Sequence, residues 1–292
     1  MKILLYNIWY YTKKLIIKQV FFKERGLGII LYLILLSFIQ GMTEFLPVSS
    51  SAHLLILPYI TNIQDQGLVI DISAHIGSLL AVCYFYRKDI IQLINSFFSK
   101  KCNENVKDKR LSLKLILAFM PIVLFGIIML AFNIPEIRNP KIVIYTSAIF
   151  GVVLYLADLY GSKKKDINNL SYKSAILIGL SQILATIPGV SRSGITLSMA
   201  RVCGQDRASA LKFTFLLSIP TILIVAMGSF IKFIFLMPMP INYFYIIITV
   251  IFSFIFSLFA IKFILNWVKK SSFKVFAIYR ILLALFLYNF LK

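Results

Sequence analysis

In the run Pro188-Gly-Val-Ser-Arg-Ser-Gly-Ile-Thr196, a single arginine stands among small and hydroxylated residues within an otherwise apolar region. The guanidinium of Arg192 is a permanently charged planar fork suited to bidentate phosphate binding. Gly189 and Gly194 allow the backbone to approach a ligand closely, and Ser191, Ser193 and Thr196 add hydroxyl donors. A helix that starts near Ser191 would point its free amide groups at the same anion. A charge at membrane depth costs roughly 2.5–3.5 kcal/mol on insertion scales, which points to a functional partner for Arg192.

A second run, Gln40-Gly-Met-Thr-Glu-Phe-Leu-Pro-Val-Ser-Ser-Ser-Ala-His53, supplies groups that could act on such an anion. Pro47 ends one helix and Ser49 or Ser50 can cap the next, presenting a second helix N-terminus, with Ser49 and Ser51 as further phosphate-binding hydroxyls. Ser50 and His53 are three apart and share a face of that helix, as a nucleophile and its base would. The imidazole could equally accept a phosphoryl group itself, and spacing does not choose between the two. Glu44 follows Gln40 by one turn, where a carboxylate could take a proton or hold a divalent cation. The expected ion is Mg2+, with Ca2+ as the alternative, on Glu44 with Gln40 as a secondary ligand, because Mg2+ is commonly held by few carboxylates together with substrate phosphates. Asp71 and His75 stand at i and i+4 near the start of a span. The spacing permits an orienting hydrogen bond, but packing is the expectation for His75.

These residues must be positioned by membrane helices. Of the 292 residues, 60% are hydrophobic and the mean hydropathy is +0.87, well above a soluble domain. The net charge of +20 would indicate nucleic acid on a soluble protein, but here Lys and Arg lie between apolar runs, where anionic lipid headgroups favour them. Membrane lipids, and not nucleic acid, are the expected surroundings. Cys83, Cys102 and Cys203 have no metal-ligand spacing and form no disulfide framework. Residues 1–27 lack the pattern of a cleavable signal and read as a basic, aromatic extension lying in the interface.

Six full spans are expected at about 68–86, 115–133, 141–158, 211–235, 242–266 and 274–290, inside one integral membrane domain over 28–292. Regions 28–60 and 173–205 are apolar but broken by Pro, Gly and Ser. Each reads as a re-entrant pair of half-length helices, which must be covered by protein or line a cavity. The basic loops 87–110, 161–173 and 267–274 are expected on the cytoplasmic side, and Arg201 and Arg207 follow the same positive-inside rule.

Sliding the sequence by 142 residues places Gln40 on Gln182, Val48 on Val190, Ser49 on Ser191, Ser51 on Ser193 and Ala52 on Gly194. The chain is therefore read as two repeats, about 28–158 and 173–292, each a broken pair followed by three spans. An odd number of crossings inverts the second copy relative to the first. The expectation is an all-α polytopic membrane protein, an inverted repeat whose two tips face one another across a shared cavity.

Both motifs resemble the signatures of the undecaprenyl-diphosphate phosphatases of the bacitracin-resistance type, and Asp71 to Ser78 and Phe213 to Pro220 resemble that family's intervening segments. The resemblance implies hydrolysis of the terminal phosphate of a C55 polyprenyl diphosphate, which regenerates the lipid carrier of cell-wall synthesis and confers bacitracin resistance. It also implies a multi-pass protein of the bacterial cytoplasmic membrane with its site open to the outer face. Glu44, Ser50, His53 and Arg192 inherit the catalytic roles by motif matching, with Ser191, Ser193 and Thr196 as phosphate ligands. Gln40 stands where the family often has Glu, which weakens the case for two carboxylates sharing a metal. Expected partners are the polyprenyl diphosphate, membrane lipids and a second copy of the chain in a homodimer. The rival from another class is a polyprenyl-phosphate flippase or secondary transporter, since broken helices in inverted repeats are transporter architecture. Acid-phosphatase-like lipid phosphatases are excluded, because they need a second histidine in a Ser-Arg…His motif and no histidine follows His75.

Overall fold

The computed structural model describes residues 26–61, 67–98, 106–132, 139–161, 166–236 and 242–290. The proposed interfacial extension lies almost wholly outside these, as do Cys102 and the stretches 99–105 and 162–165 of two basic loops. Eleven α-helices and no strand occur among the described residues: α1 Gly26–Phe45, α2 Ser50–Thr61, α3 Leu68–Phe85, α4 Arg87–Phe98, α5 Val106–Ala131, α6 Pro140–Tyr160, α7 Tyr172–Gln182, α8 Arg192–Val202, α9 Arg207–Leu236, α10 Tyr243–Trp267 and α11 Lys274–Phe290. Short 3-10 turns at Ile167–Asn169 and Ile183–Thr186 flank α7.

Local sequence accounts for several boundaries. Asn139 caps α6 by accepting from the Lys141 amide, with Pro140 at the first helical position. Asn242 caps α10, accepting from Phe244 and Tyr245, and Ser171 caps α7, accepting from Ser174. At Leu46-Pro47-Val48 the chain closes a tight turn, Val48 N donating to Leu46 O at 2.8 Å, and α1 stops.

Among the described residues, six helices are long and apolar enough to cross a bilayer: Gly28–Phe45, Leu68–Phe85, Val106–Ala131, Pro140–Tyr160, Arg207–Phe230 and Tyr243–Trp267. This set differs from the sequence expectation at two places. The first arm of the first broken region is a helix of 20 residues, not a half-helix, because no proline breaks it before Pro47. Conversely, α11 has 17 residues, about 25 Å at 1.5 Å per residue, slightly less than a bilayer core. The other arms are short as expected: α2 has 12 residues, and α7 and α8 have 11 each.

Small residues bring the helices together, as is usual where lipid removes the hydrophobic incentive to associate. Helix α10 packs on α1 and α3, with Ser253 Oγ donating to Ala74 O at 2.6 Å and Ser257 Oγ to Ser78 Oγ at 3.0 Å. A Cβ on Gly77 would stand 2.5 Å from Val250 O, so only glycine allows this approach. Helix α5 packs on α7 and α9, and α11 on α6. The outer faces present large apolar side chains such as Leu31, Leu124, Ile127, Ile251 and Phe259 to lipid.

Candidate active site

Helices α2 and α8 begin alike. Ser49 and Ser191 are the non-glycine residues with positive φ among those described, at 76° and 70°. Such angles are costly for a residue with a Cβ and mark positions the surrounding structure must enforce. Each serine caps its helix through the amide three residues on: Ala52 N donates to Ser49 Oγ at 3.4 Å, and Gly194 N to Ser191 Oγ at 3.1 Å. The neighbouring hydroxyls repeat as well, since Ser49 and Ser51 lie 3.2 Å apart, as do Ser191 and Ser193. The 142-residue offset in sequence thus reappears as one backbone geometry used twice.

The tips meet. Ser193 Oγ donates to Leu46 O at 2.9 Å, and Arg192 Nη2 donates to Glu44 Oε1 at 2.9 Å across 148 residues of chain. Arg192 Nη1 is anchored on Ser218 O of α9 at 3.1 Å. The second carboxylate oxygen of Glu44 accepts from Ser50 Oγ at 2.7 Å and from the Gln40 amide at 2.9 Å. Gln40, Glu44, Ser50 and Arg192 therefore form one connected constellation, with Gln40 and Glu44 buried.

His75 joins it, against the expectation that it serves packing. The Gln40 amide donates to His75 Nδ1 at 2.8 Å, and that nitrogen lies 3.7 Å from Glu44 Oε2. An isolated i, i+4 pair with Asp71 gave no hint of this partner 35 residues away.

His53 is placed differently from the spacing argument. Its Nδ1 donates to Ser49 O at 2.7 Å, so the proton sits on Nδ1 and Nε2 is the acceptor. Nε2 receives the hydroxyl of Tyr279 at 2.6 Å, the two ring planes lying nearly parallel. Among the described residues no hydrogen bond joins Ser50 to His53; the base within reach of the serine is Glu44. Thr196 turns its hydroxyl back onto Arg192 O at 2.8 Å, one turn below the tip. Gly189, at φ 88°, lies against α6, where a Cβ would come within 2.2 Å of Thr146 Oγ1, and Thr146 itself donates to Pro188 O at 2.7 Å.

Two further arginines carry structure that sequence did not reveal. Arg201, fully buried, donates to Asp158 at 3.1 Å, to Gly161 O and to Gln205 O, and Arg207 makes a fork to both oxygens of Asp158 at 2.8 and 2.9 Å. The Phe273 amide completes the set on Asp158 at 3.0 Å. The positive-inside rule is thus an insufficient account of Arg201 and Arg207, which tie α6, α8, α9 and the start of α11 into one knot. Arg280 of α11 reaches the tip that precedes α8, Nη2 donating to Gly189 O at 2.8 Å and Val190 O at 2.9 Å.

For a divalent cation the donors are few. Among the described residues no group of three His, Cys, Asp or Glu converges. Gln40 Oε1 is nonetheless a buried acceptor without a partner beside Glu44, which suits an ion that takes most of its ligands from substrate and water.

The family model described as bacitracin resistance protein BacA matches residues 33–286. The undecaprenyl-diphosphatase of Pelagibacter ubique (strain HTCC1062) is 40% identical over 268 residues, covering 89% of this chain and 96% of the relative. That of Campylobacter curvus (strain 525.92) is 40% identical over 264 residues, covering 88% and 97%. That of Saccharophagus degradans (strain 2-40) is 37% identical over 254 residues, covering 87% and 95%. With its two capped tips joined by Glu44 and Arg192 and a family match running through nearly all eleven helices, this chain belongs to the bacitracin resistance protein BacA family.

Proposed function

We propose that this chain is an undecaprenyl-diphosphate phosphatase, cleaving a C55 polyprenyl diphosphate to the monophosphate and inorganic phosphate at the outer face of the bacterial cytoplasmic membrane. The observation that carries the proposal is a serine hydroxyl 2.7 Å from a carboxylate that is itself paired with Arg192 at 2.9 Å. This is a nucleophile, its base and an anion receptor in one contact chain. The three relatives compared above carry the undecaprenyl-diphosphatase name, and the chain spans nearly their whole length.

The prenyl tail stays in lipid while the diphosphate enters between the tips. Its terminal phosphate displaces Glu44 from part of the Arg192 fork and lies at the N-termini of α2 and α8, which neutralise its charge. Ser50 Oγ attacks the terminal phosphorus as its proton passes to Glu44 Oε2. The bond from phosphorus to the bridging oxygen breaks, and the lipid monophosphate leaves with that oxygen, which takes up the proton from Glu44 and returns it to the carboxylate form. Water, deprotonated by Glu44, then attacks the phosphoserine, the P–Oγ bond breaks and the serine recovers a proton. His53, with both nitrogens engaged, fixes the Ser49 carbonyl and so the cap that precedes the nucleophile. A divalent cation, when bound, would rest on Glu44 and Gln40 Oε1 and offset phosphate charge.

The two broken pairs are read as inverted repeats. Support comes from their matching tip geometry and from reciprocal packing, α10 of the second half on α1 and α3, and α5 of the first half on α7 and α9. A homodimer remains the proposed assembly. The test is phosphate release by purified protein in detergent from C55 and shorter diphosphates, with and without EDTA. Release where no second compartment exists supports an enzyme; transport in vesicles with no release in detergent would replace it by a carrier.

A further inference from the structure

Arg280 is a cation with nothing negative beside it. Its side chain is 0% exposed, and among the described residues no carboxylate pairs with it. Only Nη2 is satisfied, on the Gly189 and Val190 carbonyls; Nε and Nη1 are buried without an acceptor. A buried charge left uncompensated costs several kcal/mol, more inside a membrane, and two neutral carbonyls offset only part of that. A staple for the two carbonyls would need no more than one donor group. The remaining donors are the unexplained part.

Their location is specific. Nη1 lies 2.9 Å from where a Cβ on Gly194 would stand, at the first turn of α8, an 11-residue helix whose N-terminal amides favour an anion. Arg192 and Gly194 are two residues apart and so point to opposite sides of that turn. Arg192 faces Glu44 and Ser50, whereas Arg280 approaches the other side, where His53 lies within electrostatic range of it and Tyr279, its chain neighbour, bonds His53. The α8 N-terminus therefore has a guanidinium on each flank, one with a carboxylate partner and one without.

We infer that Arg280, with the first turn of α8, is a second anion subsite that takes the lipid-proximal phosphate of a diphosphate while Arg192 takes the terminal one. The inference rests on the phosphatase reading above for the identity of the ligand, but its core is a binding claim. After cleavage the proximal phosphate alone remains with Arg280. The terminal phosphate, on Arg192, leaves separately. A substrate with a single phosphate can occupy one subsite only, so Arg280 confers preference for the diphosphate.

The test is binding by the purified full chain in detergent, read as the rise in unfolding midpoint with pyrophosphate and with inorganic phosphate. Wild type is expected to bind pyrophosphate more tightly than phosphate. In Arg280→Lys the ammonium can still hold the Gly189 and Val190 carbonyls but has no second fork, so the protein should fold while its preference for pyrophosphate falls roughly tenfold to a hundredfold, the worth of one charged hydrogen bond. Arg280→Met should lose the same preference with an unliganded midpoint no lower than wild type, because it removes an uncompensated charge. KM for the C55 diphosphate should rise more than kcat falls in both. An undiminished pyrophosphate preference in Arg280→Lys overturns the inference, as does an Arg280→Met protein that is less stable yet retains that preference. Absent phosphate release from wild type with intact pyrophosphate preference would remove the enzymatic reading and leave the subsite standing.

Discussion

Replacing Glu44 by glutamine separates its two duties. Oε2 accepts the Ser50 hydroxyl at 2.7 Å and the Gln40 amide at 2.9 Å, while Oε1 faces Arg192 at 2.9 Å. Glutamine keeps the shape and one acceptor for Arg192, but presents an NH2 group to Ser50, which it cannot deprotonate, and to the Gln40 NH2. Loss of a positioned general base lowers a rate by about 10²–10⁴. At 1.36 kcal/mol per decade this is about 3–5 kcal/mol of transition-state stabilisation. The same change deprives Arg192 of its counter-ion, and breaking a buried pair costs about 3–5 kcal/mol of stability; 15% exposure of the arginine reduces this toward the low end. The assay is kcat at saturating C55 diphosphate in detergent, with a thermal melt on the same sample. Glu44→Gln should fold with a lowered midpoint and lose at least a hundredfold in kcat. A variant that melts as wild type and turns over within about threefold of it would refute the role of Glu44 as the base for Ser50.

Asp158→Ala should be among the most destabilising single changes, by about 3–5 kcal/mol, because it leaves the fully buried Arg201 and the fork of Arg207 without their acceptor; a thermal melt in detergent reads the loss, and a midpoint equal to wild type would contradict it. Gly179→Ala should cost about 1–3 kcal/mol by overpacking, since its Cβ would stand 2.2 Å from Ala118 O and force α5 and α7 apart. Gly28→Ala, with open space around the Cβ position, is the matched control and should leave the midpoint unchanged in the same melt.

The architecture was largely legible because hydrophobic runs and proline breaks are local properties. The pairing of the two tips was legible for a different reason. Ser49 and Ser191 stand 142 residues apart in equivalent motifs, and a repeated strained cap is written in its own few residues. What escaped were contacts set by tertiary packing. His75 bonds Gln40, 35 residues away on another helix, a contact that its i, i+4 spacing with Asp71 does not reveal. Arg201 and Arg207 had a sufficient explanation in membrane topology, which concealed Asp158 on α6. Arg280 carried the clearest overlooked signal, a lone cation within the apolar run 275–290, where an intramembrane charge argues for a functional role. Helix α1 is longer than the break in its region implies, because Pro47 lies beyond a full span and does not bisect the region. Ser50 and His53 share a helix face as their spacing implies, yet face sharing does not fix which polar neighbour each hydrogen-bonds. Glu44 and Tyr279 took those places.

The central claim is that Arg192, brought across the two tips to Glu44, receives the phosphate that is cleaved. Its most direct test is phosphate release from C55 diphosphate by Arg192→Ala, compared with wild type as purified, folded protein in detergent. Turnover lower by at least about a hundredfold, in line with loss of a preorganised charge at a reacting phosphate, is the predicted result. Turnover near that of wild type would contradict the account.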